Sequence, residues 1–380
     1  MIQRTLYRKF LKRLDDTKAI ILFGPRQAGK TTLLQQIAKE ISDDILWWNG
    51  DEPDIRSELT NATSDWLKKQ IGKRKFLIID EAQRIENIGL VIKLIVDQLP
   101  GVKVIASGSS SFDLANKINE PLTGRKWEFM LYPLSVEEMS NHTSEREEKR
   151  LLSNRLLYGL YPDIVNNPGE ERALLKELAG SYLYKDILTW ENIQKPAKLE
   201  KLLQALAFQI GNQISINELS QITGLDNHTV ERYINLLEKA YIIFQLQPFS
   251  RNLRNEIKKS RKIYFYDNGI RNAVINQFSP IDLRQDKGQL WENFLICERK
   301  KITDYHQRHV NRYFWRNHAQ QEIDYVEERD GTVDAFEFKW NPKSKTFFSK
   351  SFINAYQPRV TEGIHKDNYL RFVMPGNSEK

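Results

Sequence analysis

The chain has 380 residues, 57 basic against 50 acidic, for a formal net charge of +7, and a single cysteine, Cys297. That length suits two or three domains. One cysteine excludes a disulfide framework or a Cys-based zinc site, and no apolar run approaches the ~18 residues that a membrane-spanning helix needs. The basic start MIQRTLYRKFLKRL has no continuous apolar stretch and no small-residue cleavage site. It therefore does not read as a signal peptide, and a cytoplasmic protein with no membrane partner is expected.

The first predicted element is the apolar strand Ala19-Ile20-Ile21-Leu22-Phe23. It runs into Gly24-Pro25-Arg26-Gln27-Ala28-Gly29-Lys30-Thr31, after which Thr32 continues into a helical pattern. G-x-x-x-x-G-K-[ST] between a strand and a helix is a phosphate-binding loop: glycines let the backbone wrap the anion, and the helix N-terminus faces it. Residues Gly24 to Thr32 are the expected nucleotide-binding segment. Lys30 would reach the β- and γ-phosphates, and the Thr31 hydroxyl would hold Mg²⁺. The next strand-like run ends in Trp47-Trp48, which should pack on opposite faces.

A second buried run, Phe76-Leu77-Ile78-Ile79, ends in Asp80-Glu81, and a third, Val102 to Ala106, ends in Ser107-Gly108-Ser109. Ligands of open parallel sheets gather at the carboxyl ends of strands. Asp80 is expected beside Thr31 in the metal shell, with Glu81 positioning the attacking water.

Charge is unevenly spread. Residues 251–316 hold 15 basic and 7 acidic residues, while the rest is close to neutral. A local basic excess favours an anionic partner such as nucleic acid. Residues 214–240 read as a helix-turn-helix: Asn217 as a cap, Gly224 at the turn, Asp226 or Asn227 capping a second helix that buries Val230, Tyr233 or Ile234, and Leu237. Two strand-like runs follow, with a basic stretch between them. The whole predicts a winged helix, which would meet DNA through the helix from Asn227 (Asn227, His228, Thr229, Arg232) and through Arg251, Arg254, Lys258, Lys259 and Arg261.

In the C-terminal third, a helix opens at Gly288 and carries Glu292. Strand-like runs include Glu322 to Val326 and Val333 to Trp340. Glu337 and Lys339 fall on one face of the last run, and Asp324 on the preceding one. Asp324 and Glu337 would bind Mg²⁺ or Mn²⁺ through hard oxygens, Lys339 would steady phosphate charge, and Glu292 would complete the acid set. Cys297 reads as a buried structural thiol. His306 and His309 read as phosphate contacts or surface.

Two resemblances add to this. GPRQAGKTTLL, FLIIDEAQ, VIASGSSS and LTGRKWEFMLYPLSVEE resemble the small AAA+-type ATPases of bacteria and archaea over most of residues 1–280. The resemblance implies ATP as ligand, Ser109 as a sensor of the γ-phosphate (Ser107 is a close rival), and Arg125 as an arginine finger, with a structural ion pair as its other reading. It also implies a homo-oligomer, with a hexamer as one form. Glu292, Asp324 and Glu337-x-Lys339 resemble the PD-(D/E)xK, restriction-endonuclease-like superfamily, although Ile323 stands where the name has proline. The expected fold class is α/β: a P-loop AAA+-like parallel-sheet domain (1–142), a helical lid and winged-helix domain (143–280) and a nuclease-like α/β domain (281–380). The expected function is Mg²⁺-dependent ATP hydrolysis coupled to remodelling or cleavage of DNA, branched DNA and junctions included. The alternative is a nucleotide-dependent regulatory or defence switch whose nuclease-like domain binds without cutting.

Overall fold

The computed structural model describes residues 1–41, 44–109, 118, 121–182, 196–250 and 261–374. The chain forms two compact units, Met1–Pro133 with Lys239–Tyr241, and Leu134–Glu238 with Ile242–Lys380. Among the described residues no helix is long and apolar enough to cross a membrane.

The first unit is built on five parallel strands, β1 (Ala19–Phe23), β2 (Ile45–Asn49), β3 (Phe76–Asp80), β4 (Lys103–Gly108) and β5 (Lys126–Met130), in the order β2-β3-β4-β1-β5. β1 and β4 are buried along their whole length, and β3 along all but its first residue. Helices cover both faces of such a sheet, which is why its strands read as unbroken apolar runs. The helices used below are α1 (Thr5–Leu11), α2 (Lys30–Ile41) and α3 (Ile88–Gln98). Because β4 lies between β1 and β3, its terminal serines fall between the phosphate loop and Asp80. Trp48 is buried and pairs with the Trp66 ring at 6.1 Å, while Trp47 is only half-buried.

The second unit starts with short helices and the pair α4 (Ile216–Thr223) and α5 (Asn227–Lys239). Ser215, not Asn217, caps α4, its hydroxyl accepting from the Glu218 amide; the expected cap is two residues late. Gly224 turns the chain at φ 63°, and Asp226 caps α5 by accepting from the Thr229 amide at 2.9 Å. Val230, Tyr233, Ile234 and Leu237 are buried. β6 (Ile243–Pro248) and β7 (Lys262–Phe265) then pair antiparallel.

That hairpin does not stand alone. β6 also pairs in parallel with β8 (Asn311–Arg316), and β8, β9 (Glu322–Arg329) and β10 (Thr332–Phe338) form an antiparallel meander. β11 (Val360–Ile364) joins β10 in parallel after helix α7 (Lys350–Tyr356), giving one six-stranded sheet, β11-β10-β9-β8-β6-β7. Helix α6 (Lys287–Tyr305) packs on it. The boundary expected after residue 280 therefore coincides with no break in the sheet. Asp267 has its carboxylate where a Cβ on Gly159 would sit, and it accepts from the Leu160 amide at 2.7 Å. The Gly159-Leu160 turn is thus a packing device.

Candidate functional site

The site in the first unit assembles at the carboxyl ends of β1, β3 and β4. Gly24 ends β1 where a Cβ would lie 2.2 Å from the Leu131 carbonyl oxygen, so only glycine fits. Pro25, Arg26, Gln27, Ala28 and Gly29 form the loop, with Gln27 left-handed at φ 59°. Lys30 and Thr31 open α2, and Thr32 is exposed on its first turn. The buried Lys30 ammonium donates to the carbonyls of Gly24 and Pro25, each at 3.0 Å.

Both Asp80 oxygens are held. Thr31 Oγ1 donates to Oδ2 at 2.7 Å, while the Ser107 hydroxyl and the Glu81 amide (3.1 Å) donate to Oδ1. Glu81 is left-handed at φ 50°. Its Oε2 accepts from Gln83 Nε2 at 2.5 Å, and the same nitrogen donates to Ser109 Oγ at 3.1 Å. The two rival serines thus take different partners: Ser107 fixes Asp80, and Ser109 reaches Glu81 through Gln83. Gly50 closes this end of the sheet, since a Cβ there would lie 2.3 Å from the Glu81 carbonyl oxygen.

Arg125 pairs with Asp97 at the end of α3, Nε to Oδ1 2.7 Å, with its side chain 39% exposed. The ion-pair alternative is therefore realised within the single chain. Arg4, which the sequence did not mark, is buried and donates to the Ala28 carbonyl of the phosphate loop (2.7 Å) and to the Tyr132 carbonyl (2.6 Å). Hydrogen bonds to charged groups contribute about 1.5–3 kcal/mol each. Arg4→Met should lower the melting temperature by several degrees and weaken ATP binding. Calorimetric melting with and without ATP measures both, and an unchanged ATP-induced shift would show that the clamp does not tune the loop.

In the expected DNA-facing elements, Asn227 Nδ2 donates to Asn217 Oδ1 and Thr229 Oγ1 to Asp226, while His228 and Arg232 are exposed. Arg251, Arg254, Lys258 and Lys259 lie outside the described residues. Arg261 is tied to Glu231 (2.8 Å) and Gln245 (3.0 Å). Among the described residues of the basic stretch, most basic side chains have internal partners. Arg261, Lys262, Arg271, Arg284, Arg299, Lys300, Lys301, Arg312 and Arg316 all pair with carboxylates, Arg299 with both oxygens of Glu327. Cys297 is buried, donates to the Phe265 carbonyl at 2.7 Å, and has its thiol pushed up by burial. His306 pairs with Glu137 at 2.9 Å, and His309 is exposed.

A second cluster lies within the second unit. Lys339, just past β10, donates to Glu337 at 2.9 Å and stands 3.9 Å from Asp324 on β9. Asp324 also accepts from the Phe338 amide at 2.7 Å. Glu292 on α6 accepts from Lys262 Nζ (3.2 Å) and the Tyr264 hydroxyl (2.6 Å), both on β7, and lies near enough to Asp324 to feel its charge. Lys262 also pairs with Glu322 at the start of β9. Burial first, and then the Asp324 charge, pushes Glu337 up to about 7; burial and Asp324, working against Lys262, push Glu292 up to about 7 as well. Lys262 is raised because Glu292, Glu322 and Asp324 outweigh the cost of its burial.

Two carboxylates sharing one position repel each other, and a divalent cation relieves that. Among the described residues no group of three or more His, Cys, Asp or Glu converges on a metal position. Mg²⁺ commonly takes only one or two carboxylates beside water and phosphate oxygens, so Asp324 and Glu337 fit it by donor chemistry. The expected third acid, Glu292, accepts from Lys262 while feeling the Asp324 charge. One clue to Lys262 was legible: a lysine opening an otherwise buried strand, Lys262-Ile263-Tyr264-Phe265, needs a carboxylate partner.

Comparison with known proteins adds the following. Residues 16–140 match the family described as AAA domain, residues 149–280 the Domain of unknown function (DUF8612), and residues 287–370 the Domain of unknown function (DUF4143). An uncharacterized protein of Mycobacterium tuberculosis is 26% identical over 332 residues, 86% of this chain and 71% of that protein. One from Methanocaldococcus jannaschii is 24% identical over 310 residues, 76% of this chain and 68% of its own length. Among solved structures, a Walker-type ATPase of Pyrococcus abyssi aligns with a TM-score of 0.49 at 15% identity, covering 72% of this chain and 96% of that one. A signal transduction ATPase with a tetratricopeptide repeat sensor from Pyrococcus horikoshii aligns at 0.30 and 13% identity, covering 79% and 45%. The stretch that matches the AAA domain spans most of the first unit and holds its phosphate loop and Asp80-Glu81 pair, which supports a P-loop ATPase.

Proposed function

We propose that the chain is a Mg²⁺-dependent ATPase that acts on DNA, with a nuclease-like site in its C-terminal third. The observation that carries the reading is the 2.7 Å bond from Thr31 to Asp80, which joins the phosphate loop to the acid-bearing strand. ATP would enter over the loop from Gly24 to Thr32. Lys30 exchanges its two carbonyl partners for β- and γ-phosphate oxygens. Thr31 and Asp80 would hold Mg²⁺, which when bound neutralises charge on those phosphates. Glu81, steadied by Gln83, orients the attacking water and takes its proton, and Ser109 senses the γ-phosphate side through the same glutamine. Arg125 acts as an arginine finger toward a neighbouring subunit after exchanging Asp97 for phosphate, which makes a homo-oligomer, with a hexamer as one form, part of this reading.

DNA contact rests on the order of α4, α5 and the β6/β7 hairpin, a winged-helix arrangement, with exposed His228 and Arg232 on α5. In the C-terminal third, Asp324 and Glu337 would hold Mg²⁺ or Mn²⁺, and Lys339 would orient the scissile phosphate. The switch reading, in which this region binds without cutting, is favoured by one observation: Lys262 occupies Glu292 and Glu322.

ATP turnover measured at fixed salt against duplex, branched and single-stranded DNA tests the first claim, because phosphate contacts are salt-sensitive. Stimulation by one DNA form supports it, and indifference to all of them favours the switch. Cleavage of the same panel should fall at least about 10²-fold in Glu337→Gln, the scale of one lost charge-stabilising group. Equal cutting by wild type and variant would remove the nuclease claim.

A further inference from the structure

We propose that Lys262 is a resident cation of the C-terminal site, a positioning residue whose ammonium takes the place of a second divalent ion and leaves Asp324 and Glu337 to hold one. The inference rests on the nuclease-like reading above. Lys262 is 2% exposed, and its ammonium reaches Glu292 on α6 at 3.2 Å and also Glu322 on β9. The Phe314 ring lies 5.4 Å from Nζ. Its backbone is fixed opposite Leu246 in the β6/β7 ladder and bridged to Gln213, so the buried side chain extends from a held position. Lys339 differs: its side chain is 35% exposed, and it is free to follow a substrate phosphate.

Charge balance argues the same way. Glu292, Glu322, Asp324 and Glu337 bring four negative charges when ionised. Lys262, Lys339 and, at the rim, Arg316 (3.6 Å from Glu322) return three. One divalent ion leaves a single positive charge, which suits an incoming phosphodiester. Two ions would leave three positive charges in a half-buried cleft, an arrangement that desolvation penalises. Glu292 then serves to hold Lys262, with the Tyr264 hydroxyl sharing its carboxylate, and is not a metal ligand.

Mn²⁺ bound per chain, counted by equilibrium dialysis with electron paramagnetic resonance, tests this on the full chain. Nucleotide is omitted and Asp80→Asn is the background, which silences the ATPase site. One ion is expected in the otherwise wild-type chain and in Lys262→Arg, none in Glu337→Gln. Lys262→Met should bind two, with the extra ion lost in Lys262→Met/Glu292→Gln. Lys262→Met should also melt at a lower temperature in chelator and regain stability with Mn²⁺. The neutral variant Lys262→Met/Glu292→Gln/Glu322→Gln should fold in either condition. The proposal is overturned if the wild-type chain binds two ions and Glu292→Gln removes one. It is also overturned if Lys262→Met binds no more than wild type, or stays unfolded with Mn²⁺ present. If wild type and Glu337→Gln both bind none, the nuclease-like reading fails. A gained ion in Lys262→Met would still uphold the role of Lys262.

Discussion

Replacing Glu81 by Gln should slow ATP turnover by about 10²- to 10⁴-fold, the contribution of a positioned general base, while ATP binding survives. The side chain sits one residue past the strand that carries Asp80, in a left-handed conformation, with Gln83 on its Oε2 at 2.5 Å. Gln keeps the size and the backbone geometry, so the hydrogen-bonded pair Thr31 and Asp80 should be undisturbed. Single-turnover hydrolysis beside equilibrium binding of ATP separates the two effects. Turnover within about threefold of wild type, far inside the range of a lost base, would remove Glu81 from the mechanism. Loss of ATP binding would instead mean that Glu81 supports the site's structure.

Lys30→Ala should lower turnover by about 10²- to 10³-fold, the scale of one preorganised charge donor, and unlike Glu81→Gln it should also weaken ATP affinity. The side chain lies buried beneath the loop it serves, already facing inward on the Gly24 and Pro25 carbonyls. Its removal therefore takes away the proposed phosphate contact together with a brace of the loop. Isothermal titration with ATP reads the affinity, and melting without ATP reads the brace. A variant that binds ATP as wild type does and hydrolyses it normally would mean that the loop has another use.

The phosphate loop and the Asp80-Glu81 pair were legible because each is a local string, and a parallel sheet brings strand ends together whatever lies between them. Contacts made across long separations were not. Arg4 binds carbonyls 24 and 128 residues away, with no periodicity to mark it. Lys262 meets Glu292 across 30 residues, and Glu322 from a strand that is not its neighbour in the sheet. Pairing within the basic stretch was hidden for the same reason: counting charges cannot show that Arg299 meets Glu327 or Lys301 meets Glu298. The serines were ambiguous because Ser107 and Ser109 share a strand parity, and only side-chain partners separate them.

The parallel pairing of β6 with β8 sets a rule for inheritance. Family matches divide this region at 280 and 287, as if two pieces could be traded independently. The sheet says otherwise. A C-terminal piece cut free at that point would leave β8 with an unpaired edge, open to association with other chains. It would also leave Lys262 and Tyr264 behind and strand Glu292 in a buried place without its counter-charge. Any ancestor that exchanged the last hundred residues therefore had to carry a compatible lysine on its own hairpin, or lose the acid. The carboxylate on the helix and the lysine on the hairpin should change together from one relative to the next, although they lie in stretches that match two different families.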